Sequence, residues 1–130
     1  MEPADLAKQG TESGHQKALF AKAALNIPKY PDLRWMHHIP NGGSRSAVTA
    51  SRLKGEGVRA GVFDICLPTA RCGYHGLYLE MKAPGKINNL STVQREFKEH
   101  LEKNGYLALV SDNWEQAWEL IEDYLKGITN

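Results

Sequence analysis

Three ionisable side chains, Asp64, Glu80 and Lys82, lie within two otherwise apolar stretches of the sequence. The stretches, residues 60–67 and 76–82, are rich in aliphatic, β-branched and aromatic residues and are predicted to be strands. Because side chains alternate along a strand, Glu80 and Lys82 share one face. If the two strands pair, as consecutive strands commonly do, Asp64 can lie beside Glu80 on that face. The spacing therefore predicts two acids and a lysine clustered on one face of a sheet.

Two neighbouring carboxylates, together with the backbone carbonyl of Met81, predict a site for a divalent cation, Mg²⁺ or Mn²⁺. Hard cations take oxygen ligands, and Mg²⁺ keeps several waters, which leaves room for a substrate phosphate. Such a cation polarises a phosphoryl oxygen and lowers the pKa of a bound water, while Lys82 orients that water or offsets charge on the phosphate. The chemistry that fits Asp64, Glu80 and Lys82 is hydrolysis of a phosphodiester.

Glu12 and Gln94 are two further candidates, and each has a structural alternative. Glu12 lies in the first turn of a helix predicted over residues 11–25, on the same side as Leu19 and Ala23. It either faces the site or only complements the helix dipole. Gln94 follows Ser91 by three residues, which is the spacing of a capping box. It either caps its own helix or hydrogen-bonds a phosphate or the attacking water.

Glycine-rich and basic segments supply candidate contacts to a phosphate backbone. A turn rich in backbone N–H groups lets a phosphate approach closely, although an ordinary tight turn is equally compatible with the sequence. A run of basic residues with a single acid, Glu56, is either a nucleic-acid-binding lobe or a solvated face. The candidates are Asn41, Gly42 and Gly43 in the turn, Arg45, Arg52, Lys54 and Arg59 in the basic run, and Lys86 in a later loop.

In chain order these segments resemble the virus-type replication-repair nuclease (VRR-NUC) family of the PD-(D/E)xK nuclease superfamily. The segments that carry the resemblance are Glu12, residues 41–43, residues 61–64, residues 80–82, residues 90–94 and Gly105-Tyr106. The resemblance runs from about Glu12 to Val110. Phe63 stands where the family usually has proline, which alters backbone rigidity before Asp64 and not the metal chemistry.

The resemblance implies an α/β restriction-endonuclease-like core and an active site containing Asp64, Glu80, Lys82, Glu12 and Gln94. Small freestanding members resemble Holliday-junction resolvases, which act as symmetric dimers. The expected activity is therefore that of a metal-dependent endodeoxyribonuclease, a C₂ homodimer cutting branched DNA, with a role in DNA repair. A flap or single-strand nuclease and a non-catalytic DNA-binding module on the same fold are the alternatives.

Composition predicts one soluble domain over residues 11–130, preceded by a frayed segment over residues 1–10. The chain has 130 residues, of which 42% are hydrophobic and 24% charged, with a formal net charge of +1. No stretch of about 18 apolar residues predicts a membrane span, and no secretory leader is recognised. Two cysteines, kept reduced, fit the cytoplasm of a bacterial or phage-infected cell. Cys72 and His75 provide only half of a zinc motif.

The remaining periodicity predicts a central mixed sheet flanked by helices. Strands are predicted over residues 35–39, 60–67, 76–82 and 106–110. Helices are predicted over residues 11–25, 46–54 and 91–104, and a last helix begins at Asp112, which with Glu115 forms its cap. The last helix carries Trp114, Trp118, Ile121 and Leu125 at helical spacing, which favours a buried stripe.

Overall fold

Four strands form one mixed sheet in the part of the chain that the computed structural model describes, residues 2–40 and 46–130. They are β1 (His37–His38), β2 (Ile65–Leu67), β3 (Leu77–Met81) and β4 (Leu107–Ser111), in the spatial order β1-β2-β3-β4. The pairs β1–β2 and β2–β3 are antiparallel, and β3–β4 is parallel. A parallel pair needs a long crossover connection, which here contains a helix.

Five α-helices accompany this sheet within the described residues, and three of the predicted ones begin at the expected cap. They are α1 (Pro3–Leu6), α2 (Glu12–Leu25), α3 (Ala47–Gly55), α4 (Thr92–Lys103) and α5 (Trp114–Leu125). Thr11, Ser46 and Ser91 each accept a hydrogen bond from a backbone N–H in the first turn that follows. These caps satisfy donors that have no partner inside the helix.

The two faces of the sheet are covered unequally. Ile65, Leu77 and Leu79 are fully buried on one face, where α2 and α5 pack and form the larger core. We call this the α2/α5 face. The opposite face carries Asp64, Tyr78 and Glu80 and is covered by α4, through a smaller cluster built on Phe63, Leu101 and Ala108. We call it the α4 face.

Several local predictions differ from the structure. Trp35 ends a 3₁₀ helix, Pro31–Trp35, and is exposed, so the predicted strand over residues 35–39 shrinks to His37–His38. Pro31 fixes a backbone angle that suits the first turn of a helix. The predicted strand over residues 60–67 is ordered as a strand only at Ile65–Leu67.

Both ends of the chain also depart from the predicted pattern. The segment expected to be frayed contains α1, which packs on α2 and buries Pro3. At the last helix the cap is Asn113, whose side chain accepts from the N–H groups of Glu115 and Gln116, whereas Asp112 accepts from Gly85 N–H. No helix of the described residues is long and apolar enough to cross a bilayer.

Candidate active site

Asp64 and Glu80 face each other at the end of the β2–β3 ladder. The paired register ends with Ile65 opposite Leu79, so Asp64 and Glu80 are the residues that directly adjoin this last pair. The Asp64 N–H donates to Glu80 Oε1 at 3.1 Å, and the Met81 N–H donates to Asp64 Oδ2 at 3.3 Å. Both acids are buried, at 7% and 3% relative exposure. The backbone therefore fixes the orientation of both carboxylates on the α4 face.

Lys82 and Gln94 complete a hydrogen-bonded network with Glu80. The Lys82 ammonium donates to Gln94 Oε1 at 2.8 Å, and Gln94 Nε2 donates to Glu80 Oε2 at 2.8 Å. Lys82 Nζ also lies 3.7 Å from Glu80 Oε2. Gln94 Oε1 additionally accepts from the Ser91 N–H at 3.0 Å, which closes the capping box of α4. Gln94 thus caps α4 and at the same time contacts Lys82 and Glu80, while its contact to a phosphate or to the attacking water stays a prediction.

Burial raises the pKa values of both acids, and the charge of Asp64 adds to the rise at Glu80. Burial raises the pKa of Glu80 to about 8, with further upward influence from Asp64 and Glu12, while Lys82 and the Asp64 N–H act in the opposite direction. Burial also raises the pKa of Asp64, against the lowering influence of the Met81 N–H and the charges of His38 and Lys82. The site therefore disfavours two negative charges at once unless a cation joins them.

Glu12 lies at the edge of this cluster, as the first residue of α2. Loss of water around its carboxyl group raises its pKa, and the charge of Asp64 adds to that rise while Lys82 opposes it. Glu12 is an exposed residue overall. The charges of Asp64 and Lys82 thus reach the first residue of α2, and Gln94 in the first turn of α4 contacts Glu80. Helix N-termini favour anions such as phosphate.

A close approach between Gly61 and α4 holds the loop before Asp64 in place. Gly61 has φ +88°, and a Cβ at this position would collide with the Val93 side chain. Two residues later the fully buried Phe63 packs edge-to-face on Phe97 of α4, with ring centroids 5.6 Å apart. Phe63 therefore anchors the Asp64 loop by packing. The sequence showed Phe63 only as a departure from the family pattern.

His38 is a second neighbour of Asp64 that the sequence did not single out as a site residue. Its Nδ1 lies 2.9 Å from the Asp64 carbonyl oxygen. Since a carbonyl only accepts, Nδ1 carries the proton in this contact. Adjacent histidines point to opposite faces of a strand, and that rule alone does not tell which of His37 and His38 lies near the site. The other histidine, His37, has its Nδ1 2.9 Å from the Trp35 carbonyl oxygen.

The donor set of the site fits a hard divalent cation with few protein ligands. No group of three or more His, Cys, Asp or Glu among the described residues is arranged to hold a metal. Asp64 and Glu80 offer two carboxylates, which is the number by which Mg²⁺ is often held when substrate phosphate and waters complete the shell. Their raised pKa values fit the same assignment, because a cation would relieve the repulsion. Cys72 and His75 form no such group; the Cys72 thiol lies 3.6 Å from the Tyr124 carbonyl oxygen.

The predicted DNA contacts on α3 lie on a helix that does not pack against the other described helices and strands. None of the residues of α3 is buried. Arg52, Lys54 and Arg59 on and after this helix are exposed, as is Lys86 in the β3–α4 loop. Arg52 pairs with Glu56 at 3.0 Å. Asn41, Gly42, Gly43 and Arg45 lie outside the described residues.

A solved structure described as a VRR_NUC domain protein matches this chain with a TM-score of 0.74. The match has 30% sequence identity and covers 90% of this chain and 89% of that chain. The chain belongs to the VRR-NUC family. Neither a family model nor a curated protein sequence matches it.

Membership in VRR-NUC, a nuclease family, confirms the predicted fold class, a mixed four-stranded sheet flanked by helices. Within this VRR-NUC domain, the folded chain brings Asp64, Glu80, Lys82 and Gln94 into one network and places Glu12 beside it. The basic residues of α3 make no contact with that network in the described structure.

Proposed function

We propose that this protein is a Mg²⁺- or Mn²⁺-dependent endodeoxyribonuclease that hydrolyses phosphodiester bonds. The observation that carries the proposal is the buried pair of Asp64 and Glu80, joined through Gln94 to Lys82. Burying such a group of charges is costly unless its members are paired or bind a ligand. A non-catalytic DNA-binding module would gain nothing from that cost, so the network favours turnover.

Asp64, Glu80 and the backbone carbonyl of Met81 would hold the cation. When bound, the cation supplies charge stabilisation at the phosphate and a more acidic water. Lys82 supplies a donor that orients the attacking water or stabilises charge on the phosphate oxygens. Gln94 holds both Lys82 and Glu80 by its amide, and Glu12 adds negative charge at the rim. The N-termini of α2 and α4 attract the phosphate.

Cleavage by single variants tests this proposal. Asp64→Ala, Glu80→Ala and Lys82→Ala should each lower cleavage by at least about 100-fold, because each removes part of one catalytic unit. Double variants should lose little more than the singles. Lys103→Ala and Glu119→Ala change exposed charges elsewhere and serve as matched controls. Near-normal cleavage by Glu80→Ala with Mg²⁺ present would overturn the assignment of the site.

For the substrate, we propose branched DNA, such as a four-way junction, cut by a C₂ homodimer. No feature of the sequence is typical of base-edge readout, so recognition by phosphates and shape fits this chain better. A junction presents equivalent strands related by symmetry, and a twofold axis duplicates one small site to match them.

Cleavage of a panel of four-way junctions, flaps, single strands and linear duplexes, together with light scattering, tests this choice. We expect the four-way junction to be cut fastest, at symmetric positions, by a dimer. Preferred cleavage of flaps or single strands would replace the junction assignment by the alternative nuclease activity. A monomer at assay concentration that cuts both junction strands symmetrically would contradict the dimer.

A further inference from the structure

The Gln94 side-chain amide lies at the centre of the network, and its orientation matters. Its oxygen accepts from Lys82 Nζ and from the Ser91 N–H, and its NH₂ group donates to Glu80 Oε2. A flipped amide would place NH₂ against two groups that only donate and would place its oxygen against a carboxylate. The amide orientation that the capping box requires is therefore the same one that lets Gln94 accept from Lys82 and donate to Glu80.

We propose that Ser91 is a positioning residue whose backbone N–H holds the Gln94 amide in the orientation that serves Glu80 and Lys82. The hydroxyl of Ser91 accepts from the Gln94 N–H at 3.1 Å and anchors the backbone of the same residue. Ser91 acts only through Gln94, since neither of its groups contacts Glu80 or Lys82 in the described hydrogen bonds. Its effect on cleavage rests on the proposed nuclease function.

The need for a second donor follows from what Lys82 does. While Lys82 donates to Gln94 Oε1, the lysine alone is enough to orient the amide. When Lys82 turns towards a phosphate or a water, that restraint is lost. The Ser91 N–H then remains as the donor that keeps Oε1 in place, and Nε2 continues to donate to Glu80. The Ser91 N–H thus preserves the hydrogen bond from Gln94 to Glu80 while Lys82 contacts the phosphate or the water.

Comparison of Ser91→Pro with Ser91→Ala isolates this one donor. Both variants lack the hydroxyl, but only Ser91→Pro lacks the N–H. The φ of Ser91 is −69°, which matches the angle that proline imposes, so the replacement fits the backbone at this position. Ser91→Thr keeps both groups and serves as the conservative control.

The first readout is the Gln94 side-chain amide in the NMR spectrum of the metal-free protein in which Lys82→Met removes the lysine donor; this readout does not depend on activity. We expect solvent-protected Nε2 protons in Lys82→Met alone and in Lys82→Met combined with Ser91→Thr or Ser91→Ala. When Ser91→Pro is added to Lys82→Met, we expect loss of that protection and movement of the two proton shifts to those of a solvent-exposed glutamine amide. Unchanged Gln94 amide signals on addition of Ser91→Pro would overturn the proposal, whether or not the wild type cleaves DNA.

The second readout is single-turnover cleavage at saturating DNA. Ser91→Pro should be slower than Ser91→Ala by at least about tenfold, since misplacement of a catalytic group is costly. DNA affinity and melting temperature should stay equal in the two variants. Equal rates in a wild type that cleaves would overturn the positioning role while leaving the nuclease assignment intact. Should Ser91→Pro not fold, an ester in place of the amide between Leu90 and Ser91 removes the same N–H and keeps the hydroxyl, with the same expected outcomes.

Discussion

At the scale of single residues, Glu80 links stability to pH. Its folded-state pKa of about 8 lies above its ordinary value of 4.5, so the folded protein holds this proton more tightly than the unfolded chain does. The stabilisation from Glu80 is therefore fully present below about pH 4.5 and is lost as pH rises through 8. Metal-free protein should become less stable over this window.

Glu80→Gln should remove this pH dependence, because glutamine is neutral at every pH. In the absence of metal the loss of stability with rising pH should be absent from the variant. Its stability at every pH should be lower by about 1–3 kcal/mol than that of wild type with Glu80 protonated, because its NH₂ group faces a donor where one carboxyl oxygen accepted. The variant should also lose cleavage. Thermal unfolding in chelator from about pH 5 to about pH 9 checks the first result.

Glu119→Gln is the matched control for Glu80→Gln, since Glu119 is exposed on α5. It should leave the pH profile of stability as in wild type. Equal pH profiles for Glu80→Gln and wild type would mean that Glu80 does not carry the raised pKa.

Gln94 offers a second prediction at this scale, because its two contacts respond differently to substitution. Gln94→Glu keeps an acceptor for Ser91 and Lys82 but replaces the donor to Glu80 with an oxygen. Helix α4 should survive, and cleavage should fall by about 100-fold or more. Gln94→Ala should lower both cleavage and stability, the latter by about 1 kcal/mol. Denaturant unfolding and cleavage rates measure the two effects; full activity in Gln94→Glu would leave Gln94 as a helix cap only.

The sequence predicted the residues of this site better than their contacts. Alternation along a strand is a local rule, so Asp64, Glu80 and Lys82 could be placed on one face from spacing alone. Gln94 could not be assigned, because a capping box is local while its bond to Glu80 depends on how α4 packs on the sheet. Spacing could not choose between His37 and His38 as the neighbour of the site for the same reason, since the partner of His38 is 26 residues away.

At the scale of secondary-structure elements, the contact between Gly61 and Val93 sets how closely α4 approaches the Asp64 loop. Gly61→Ala should destabilise the protein in two ways. A side chain at φ +88° costs about 1–2 kcal/mol, and the clash with Val93 adds about 1 kcal/mol or more. Cleavage should fall as well, because Val93 precedes Gln94. Denaturant unfolding and cleavage rates measure both effects.

Gly85→Ala separates the two contributions. Gly85 has a similar φ of +81°, and a Cβ there would meet no atom within 4 Å among the described residues. It should show the backbone cost alone. Gly61→Ala combined with Val93→Ala should recover part of the steric cost and none of the backbone cost, because the Cβ and backbone carbon of residue 93 remain 2.9 and 3.0 Å from the added methyl group. If Gly61→Ala and Gly85→Ala are equally destabilised, the approach of Val93 does not matter.

Helix boundaries were easier to predict than strand boundaries. Thr11, Ser46 and Ser91 identify helix starts because the hydrogen bond of a cap is made within the next turn. Strand ends depend on the partner strand, which the sequence does not name. Trp35 has a high strand propensity, yet the turn begun by Pro31 holds it in a 3₁₀ helix.

At the scale of the whole molecule, α3 is the described helix that does not pack against another helix or strand, and the cations on and after it are exposed to solvent. Replacing Arg52, Lys54 and Arg59 with glutamine should weaken DNA binding and its salt dependence. The slope of log K against log salt should become shallower by about 0.9 for each phosphate that the variant no longer neutralises. The fold should be unaffected, because α3 buries no residue and its ion pair with Glu56 is exposed.

A triple variant with the same change of charge elsewhere provides the control. Lys98, Lys103 and Lys126 lie on α4 and after α5, and their replacement by glutamine should alter the slope little. Binding isotherms between about 50 and about 300 mM salt distinguish the two sets. Equal slopes for both variants would mean that α3 is a solvated surface.

The unequal cover of the two sheet faces has a consequence for how this protein can change over generations. The α2/α5 face holds the larger core, including the fully buried Leu19 and Ile121, and neither Asp64 nor Glu80. Substitutions that improve packing there can raise the stability of the protein without changing those two acids. The added stability can compensate for destabilising substitutions on the α4 face. Substitutions on the α4 face that change the substrate can then be tolerated, because the α2/α5 face supplies the stability that they cost.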